Sequence, residues 1–152
     1  MRRSLLPSVS TALLAGLFNL TVQAAEPTVI QLSQTGCQFV EPEEQDQHYR
    51  PLTADDCQTI NSQSGAARLA ASQVLRLKAG DYVFRVTNAN VPYELGFWLR
   101  GSGLGRVTLP SVSGGGLTEG VTKDYAISLK PGEYRYSCPL NPTPDYVLIV
   151  EG

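Results

Sequence analysis

Residues that bind metals or serve in catalysis are scarce in this sequence of 152 residues. It has three cysteines, one histidine (His48) and one methionine (Met1). Most zinc and imidazole-rich metal centres need several cysteine or histidine ligands, so this small supply excludes most of them. With one histidine, a Ser-His-Asp or Cys-His mechanism is open only if His48 is the base. An enzyme is therefore the function class with the least support.

Charge of either sign is also limited. The chain carries 12 Lys+Arg against 14 Asp+Glu, a formal net charge of -2. Proteins that bind nucleic acid present a basic face to the phosphates, so this balance argues against a nucleic-acid partner. Charged residues make up only 17% and hydrophobic residues 42% of the chain, which favours a folded protein over a disordered one. The length suits one domain.

The first 24 residues have the features of an export signal. Arg2 and Arg3 provide positive charge, and an apolar stretch at 5–22 follows. A proline and several hydroxyl residues interrupt that stretch, which disfavours the alternative of a membrane-spanning helix. Small residues up to Ala24 predict cleavage after that residue. We therefore expect a signal peptide at 1–24, one domain at 25–152, no membrane span after cleavage, and a periplasmic or secreted location that is oxidising.

Apolar and polar residues alternate through much of the chain, as they do in β-strands with one buried face. Turn signals rich in glycine, proline and asparagine separate these runs. The predicted strands lie at about 28–33, 75–78, 82–87, 93–99, 125–129, 134–138 and 146–150. Short strands at regular spacing predict an all-β sandwich or barrel.

Residues 53–71 lack this alternation and favour a helical insertion. Thr53 suits an N-cap, and Asp55 and Asp56 suit the first turn, where the helix dipole favours anions. Several alanines follow, but the polar stretch at 61–65 predicts an interruption. We expect one or two short helices. The glycine-rich stretch at 101–116 predicts loops.

Cys37 and Cys57 flank a polar, acidic segment inside an insertion at 34–71. In an exported protein, two such cysteines form a disulfide by default. Closing a loop of about 20 residues contributes about 3 kcal/mol in the chain-entropy view. The alternative is a metal site of both cysteines, His48 and a carboxylate, but the spacing fits no zinc pattern. A disulfide leaves Cys138 as an inert buried thiol, an intermolecular partner or a ligand.

The residues that lead to Cys138 resemble the copper-binding region of the cupredoxins. That family carries a Pro-Gly-x-Tyr-x-Tyr/Phe-x-Cys run, and residues 131–138 read Pro-Gly-Glu-Tyr-Arg-Tyr-Ser-Cys. Upstream, 78–88 resembles the family's Lys-x-Gly-Asp turn and strand, and 88–97 resembles its Asn-x-x-x-Pro-His-x-x-x-Phe segment. The resemblance covers 73–151. It implies an all-β, Greek-key, cupredoxin-like β-sandwich with a short helical insertion at about 53–71.

The same resemblance implies a copper site that has lost most of its ligands. A type-1 site uses a cysteine thiolate, two histidines and a weak axial methionine or similar group. Cys138 matches the cysteine, but Tyr93 and Asn141 occupy the histidine positions, and the chain without its signal has no methionine. Imidazoles stabilise Cu(II) and set its potential, so an ordinary blue-copper electron carrier is not expected.

Three functions are consistent with this interpretation. In the first, the protein handles copper or electrons through Cys138, with Glu94, His48 and Asp145 as weaker candidate ligands. In the second, it is a binding or structural module of the cell envelope with no cofactor and a protein partner. Tyr93 then fills the vacated pocket and bonds to Asn141 or Asp145. The third is an enzyme, for which one histidine and no paired-carboxylate motif leave little chemistry to propose.

Overall fold

The computed structural model describes residues 26–152, so the predicted signal peptide lies outside the described residues. Within them, nine strands and three helices follow one another in this order: β1 (Thr28–Thr35), β2 (Gln38–Phe39), α1 (Val40–Glu43), α2 (Ala54–Ala71), β3 (Leu75–Lys78), β4 (Gly80–Asn88), β5 (Leu95–Gly101), α3 (Gly105–Thr108), β6 (Val112–Leu117), β7 (Thr122–Leu129), β8 (Gly132–Ser137) and β9 (Tyr146–Glu151). Among the described helices, none has the length and apolar character needed to cross a membrane.

The strands form two sheets, in the orders β2-β1-β4-β7 and β3-β9-β8-β5-β6. β1 runs parallel to β4 and β3 runs parallel to β9, while the other paired strands are antiparallel. Side chains from both sheets form one buried cluster. In β7, for example, Tyr125, Ile127 and Leu129 are buried and the residues between them are exposed, because successive side chains of a strand point to opposite faces. The predicted β-sandwich is confirmed.

The segment at 34–71 is part of the core as well as an insertion. Phe39 is fully buried and meets Phe97, Tyr136 and Tyr146 in edge-on ring contacts with centroids 5.6–6.1 Å apart. Edge-to-face packing of this kind adds to the stabilisation from burial. The segment therefore supplies a large side chain to the core of the sandwich.

The predicted interruption of the helix at 61–65 is wrong, because α2 is one continuous helix of 18 residues. Its polar residues are satisfied without breaking it. The Ser64 hydroxyl donates to the Ile60 carbonyl at 2.9 Å, and the Asn61 amide donates to the Pro142 carbonyl at 2.5 Å. The first bond lies within the helix and the second is a tertiary contact, so local and long-range bonds together offset the low helix propensity of these residues. Thr53 is the N-cap, as predicted.

A buried ion pair fixes α2 to the rest of the molecule. Arg68 donates two hydrogen bonds to the Glu43 carboxylate, at 2.6 and 2.9 Å. The two side chains are only 9% and 3% exposed. The Tyr146 hydroxyl donates to the same carboxylate from β9. One charged cluster therefore links α1, α2 and the core.

The glycine-rich stretch is only partly loop, contrary to the prediction. Val112–Leu117 forms β6, which pairs with β5 at the edge of the larger sheet. A Cβ on Gly114 would lie 3.0 Å from the Tyr125 ring, so glycine lets this ring pack against the strand. Cross-strand bonding to β5 supplies the order that the local sequence does not encode.

Candidate functional site around Cys138

Cys138 follows the last residue of β8, and its side chain is buried, with 2% exposed. Its sulfur accepts hydrogen bonds from the backbone N–H groups of Gly96, at 3.3 Å, and Asn141, at 3.2 Å. Burial raises the pKa of the thiol, and these backbone donors, together with that of Leu140, act in the opposite direction. The thiol is thus withheld from solvent, although several N–H groups point at its sulfur.

The Tyr93 hydroxyl donates a hydrogen bond to the side-chain oxygen of Asn141 at 2.7 Å. This is the bond that the module hypothesis expects. The same hydroxyl lies 3.2 Å from the Thr53 carbonyl at the start of α2. Burial is the main reason that the pKa of Tyr93 rises to about 12, and the charges of Cys138 and Asp56 add to it. The phenol is therefore protonated, and neutral, at physiological pH.

The predicted disulfide between Cys37 and Cys57 is present and is buried. It also takes part in the site, which the sequence did not indicate. The sulfur of Cys57 lies 2.8 Å from the side-chain oxygen of Asn141 and 3.7 Å from the Tyr93 hydroxyl. A disulfide sulfur has no hydrogen to donate, so its approach to Asn141 is a packing contact. Helix α2 carries this sulfur to the two residues at the predicted histidine positions.

The three weaker candidate ligands are engaged elsewhere. Glu94 accepts the backbone N–H of Gly116 at 2.6 Å. His48 is exposed and lies 3.4 Å from Asp46. Asp145 pairs with Arg100 at 2.7 Å. None of these contacts involves Cys138.

Metal ligands are not gathered at this site. Within residues 26–152, no three or more histidine, cysteine, aspartate or glutamate side chains are grouped so that they could hold a metal ion. A phenol, an amide and a disulfide sulfur surround the loop instead. This donor set does not fit type-1 copper, which uses imidazoles.

Sequence reasoning missed the part that Arg100 plays in holding the cysteine loop. Its guanidinium is buried, donates to the Ser137 hydroxyl at 3.0 Å and to Asp145 at 2.7 Å, and lies 4.0 Å from the centre of the Trp98 ring. It thereby joins β5 to both ends of the loop at 138–145. An arginine within a strand carries no local signal of such burial, because the partners come from distant parts of the chain.

The sequence matches no protein-family model, and no curated protein matches it. Solved structures do match. Auracyanin B has a TM-score of 0.53 and 12% identity, over 86% of this chain and 94% of its own. The fold is cupredoxin-like. Auracyanin A, a "blue" copper protein from the green thermophilic photosynthetic bacterium Chloroflexus aurantiacus, has a TM-score of 0.47 and 13% identity, over 83% of this chain and 100% of its own. Amicyanin from Paracoccus versutus has a TM-score of 0.43 and 14% identity, over 86% of each chain.

The match to auracyanin B concerns the fold, since the identity is too low to carry function. Within this cupredoxin-like fold, Tyr93, Asn141 and Cys138 form one contiguous cluster. Asn141 bonds to Cys138 through its backbone and to Tyr93 through its side chain. That Tyr93 and Asn141 replace histidine ligands stays a prediction from the sequence.

Proposed function

We propose that the protein is an exported cupredoxin-fold binding module of the cell envelope, in which protein atoms fill the position that copper occupies in blue-copper relatives. One observation carries the proposal: the Tyr93 hydroxyl is bonded to Asn141 at 2.7 Å, and the Cys57 sulfur lies against the same oxygen at 2.8 Å. The polar groups of the pocket thus have partners within the protein, and none of these three groups is a charged or imidazole ligand.

The chemistry of these groups favours binding over electron transfer. A tyrosine with a pKa of about 12 stays protonated at neutral pH, and an asparagine amide is a weak ligand for Cu(II) compared with imidazole. The contacts of Asn141 with Tyr93 and with the Cys57 sulfur also hold the loop after Cys138 in one conformation. A loop fixed in this way gives a pre-organised binding surface, which loses less entropy when a partner binds.

An apolar surface lies next to the cluster of Tyr93, Asn141 and Cys138. Leu140, 45% exposed, covers β5 at Gly96, where an added Cβ would lie 3.6 Å from its side chain. Trp98, 36% exposed, is two residues along the same strand and is held by the buried Arg100 guanidinium. We name Leu140 and Trp98 the loop patch. Rigid aromatic anchors backed by arginine are typical of energetic hot spots in protein interfaces.

Metal titration tests whether the site is closed. The oxidised protein without its signal is titrated anaerobically with Cu(I), Cu(II) and Zn(II), with Cys138→Ala alongside. We expect binding no tighter than about micromolar for both proteins. Metal binding tighter than micromolar by the wild type that is lost in Cys138→Ala would overturn the proposal of a binding module.

Crosslinking in the envelope tests the partner. A photoreactive residue replaces Leu140 in one variant and Ala126, which is exposed on β7 in the other sheet, in a control. We expect a discrete adduct from position 140 that is lost when Trp98→Ala is added and is absent from position 126. Equal adducts from both positions would contradict a specific surface.

A second function, soft-metal handling through Cys138, has one observation in its favour. Backbone N–H groups of Gly96 and Asn141 point at the sulfur, and such donors stabilise a thiolate. The titration of Cys138→Ala described above separates this function from the first.

A further inference from the structure

A cavity of about 210 Å³ opens between the two sheets, on the side where β1 and β3 face each other. Among the described strands, β3 pairs only with β9, and β2 pairs with β1 only at 34–35. Residues 28–33 and β3 therefore each leave one edge free, and the sandwich is open between them. The inner wall of the cavity is apolar and includes Ile30, Leu32 and Leu75. The lining includes neither the residues around Cys138 nor the loop patch.

Tyr136 contributes a polar group to this apolar wall. Its side chain is only 1% exposed, and its ring packs against Phe39, Phe97 and Tyr146 with centroids 5.5–6.5 Å apart. Within residues 26–152, the Tyr136 hydroxyl forms no hydrogen bond. The other six of the seven tyrosines each have one, namely Tyr49, Tyr82, Tyr93, Tyr125, Tyr134 and Tyr146. A buried hydroxyl without a partner is costly, so this exception needs an explanation.

We propose that the cavity between β1 and β3 binds a neutral, ring-sized apolar molecule with one hydroxyl group, which forms a hydrogen bond with the Tyr136 hydroxyl. The volume sets the size of the ligand. An apolar cavity of about 150 Å³ accommodates benzene, whereas drug-sized ligands occupy pockets of about 300 Å³ or more. A cavity of about 210 Å³ thus suits one ring with small substituents.

The charges at the cavity favour a neutral ligand. The Glu41 carboxylate lines the cavity and is held by the backbone N–H of Ser33, which it accepts at 2.8 Å. Burial raises the pKa of Tyr136, and the Glu41 charge adds to the rise, so the phenol stays protonated at neutral pH. The same charge repels anions. The positive charge of the lining belongs to Arg76, which is 63% exposed and lies 3.7 Å from Glu151.

A hydroxyl group suits this arrangement better than a carbonyl or a carboxylate. It is both a donor and an acceptor, so it can accept from the Tyr136 hydroxyl and donate towards Glu41. A carbonyl oxygen can only accept, and a carboxylate would bring a second negative charge beside Glu41. Apolar contacts with the wall supply the rest of the affinity, as in most small-molecule sites.

Titration with p-cresol and toluene tests the proposal, because the two molecules differ only in the hydroxyl group. Calorimetry on the oxidised protein without its signal should show one p-cresol bound per chain, with a dissociation constant below about 1 mM. Tyr136→Phe should weaken p-cresol binding about fivefold, the usual effect of one lost hydrogen bond, and leave toluene binding unchanged. Equal p-cresol affinities in the wild type and Tyr136→Phe would overturn the proposal.

Tyr134→Phe is the matched control. Tyr134 is buried two residues earlier in β8, is not part of the cavity wall, and donates its hydroxyl to the Lys130 carbonyl at 2.9 Å. Thermal denaturation should show a lower midpoint for Tyr134→Phe, with unchanged p-cresol affinity. Tyr136→Phe should show the reverse, an unchanged midpoint and weaker binding. A loss of stability in Tyr136→Phe as large as in Tyr134→Phe would mean that its hydroxyl has a partner within the protein and would overturn the proposal.

Two further measurements locate the ligand. Ile30→Phe puts a larger side chain into the cavity and should weaken the binding of both molecules more than about tenfold. In NMR spectra of the wild type, p-cresol should cause its largest amide shifts at Ile30, Leu32 and Leu75. Largest shifts at Trp98 and Leu140, or p-cresol binding weaker than about 1 mM, would overturn the site. These results are independent of the metal titration and of the crosslinking from position 140.

Discussion

The hydroxyl of Tyr93 and the side-chain oxygen of Asn141, 48 residues apart in the sequence, are joined by a hydrogen bond of 2.7 Å. Tyr93→Phe removes this bond and keeps the ring. We expect the free energy of unfolding to fall by about 1 kcal/mol, the usual net value of such a bond. Urea denaturation measures it.

Tyr125→Phe is the matched control, because its hydroxyl makes only a 3.4 Å bond to the Gly114 carbonyl. We expect a smaller loss of stability for this variant. If Tyr93→Phe were as stable as the wild type, or less affected than Tyr125→Phe, the bond to Asn141 would not be contributing to the closed cluster.

Alkaline pH should destabilise the protein, in part through Tyr93. Its pKa is about 12 in the folded protein against an ordinary value of 10.0, so the folded state holds the proton more tightly than the unfolded state. The contribution of Tyr93 to the free energy of unfolding is fully present below about pH 10 and is lost as pH rises towards 12. The free energy of unfolding should therefore decrease over this range, and less steeply in Tyr93→Phe.

Chemical denaturation at several pH values between 9 and 11.5 measures this slope. The pKa values of Tyr136 and Tyr146 are also raised by burial, so part of the decrease should remain in Tyr93→Phe. Identical slopes in the two proteins would contradict the assignment to Tyr93.

The Glu43–Arg68 pair should matter far more than an exposed ion pair. Glu43→Gln leaves the Arg68 charge buried without its counter-ion, and losing one partner of a buried pair costs about 3–5 kcal/mol. The control is Asp124→Asn, since Arg85 and Asp124 pair at 2.7 Å with about half of each side chain exposed. That change should cost less than about 1 kcal/mol. Urea denaturation measures the free energy of unfolding of each variant. Similar losses of unfolding free energy in both variants would contradict the larger contribution of the buried pair.

Thiol counting checks the state of the cysteines. Without reductant, the unfolded protein should show one reactive thiol per chain, that of Cys138, and the native protein should react slowly because this thiol is buried and its pKa is raised. Removing the disulfide with Cys37→Ser/Cys57→Ser should cost about 3 kcal/mol for a loop of this length. Three thiols in the unreduced, unfolded wild type would contradict the disulfide.

Local patterns in the sequence predicted much of the scaffold. Alternation of apolar and polar residues identified strands such as β4, β7 and β9, because a strand with one buried face must repeat every two residues. The cysteine spacing and the predicted oxidising compartment indicated the disulfide. The module hypothesis named Asn141 and Asp145 as the two candidate partners of the Tyr93 hydroxyl, and the structure has Asn141. These features depend on residue type and spacing, which a single sequence displays.

Tertiary structure alone decided how the site is closed. Nothing near Cys57 in the sequence indicates that its sulfur reaches Asn141, because that contact requires α2 to cross over the cysteine loop. The continuity of α2 and the pairing of β6 with β5 likewise depend on partners distant in sequence. Sequence therefore determined most of the strands and the disulfide, whereas long-range packing decided that a disulfide sulfur lies against Asn141 and Tyr93.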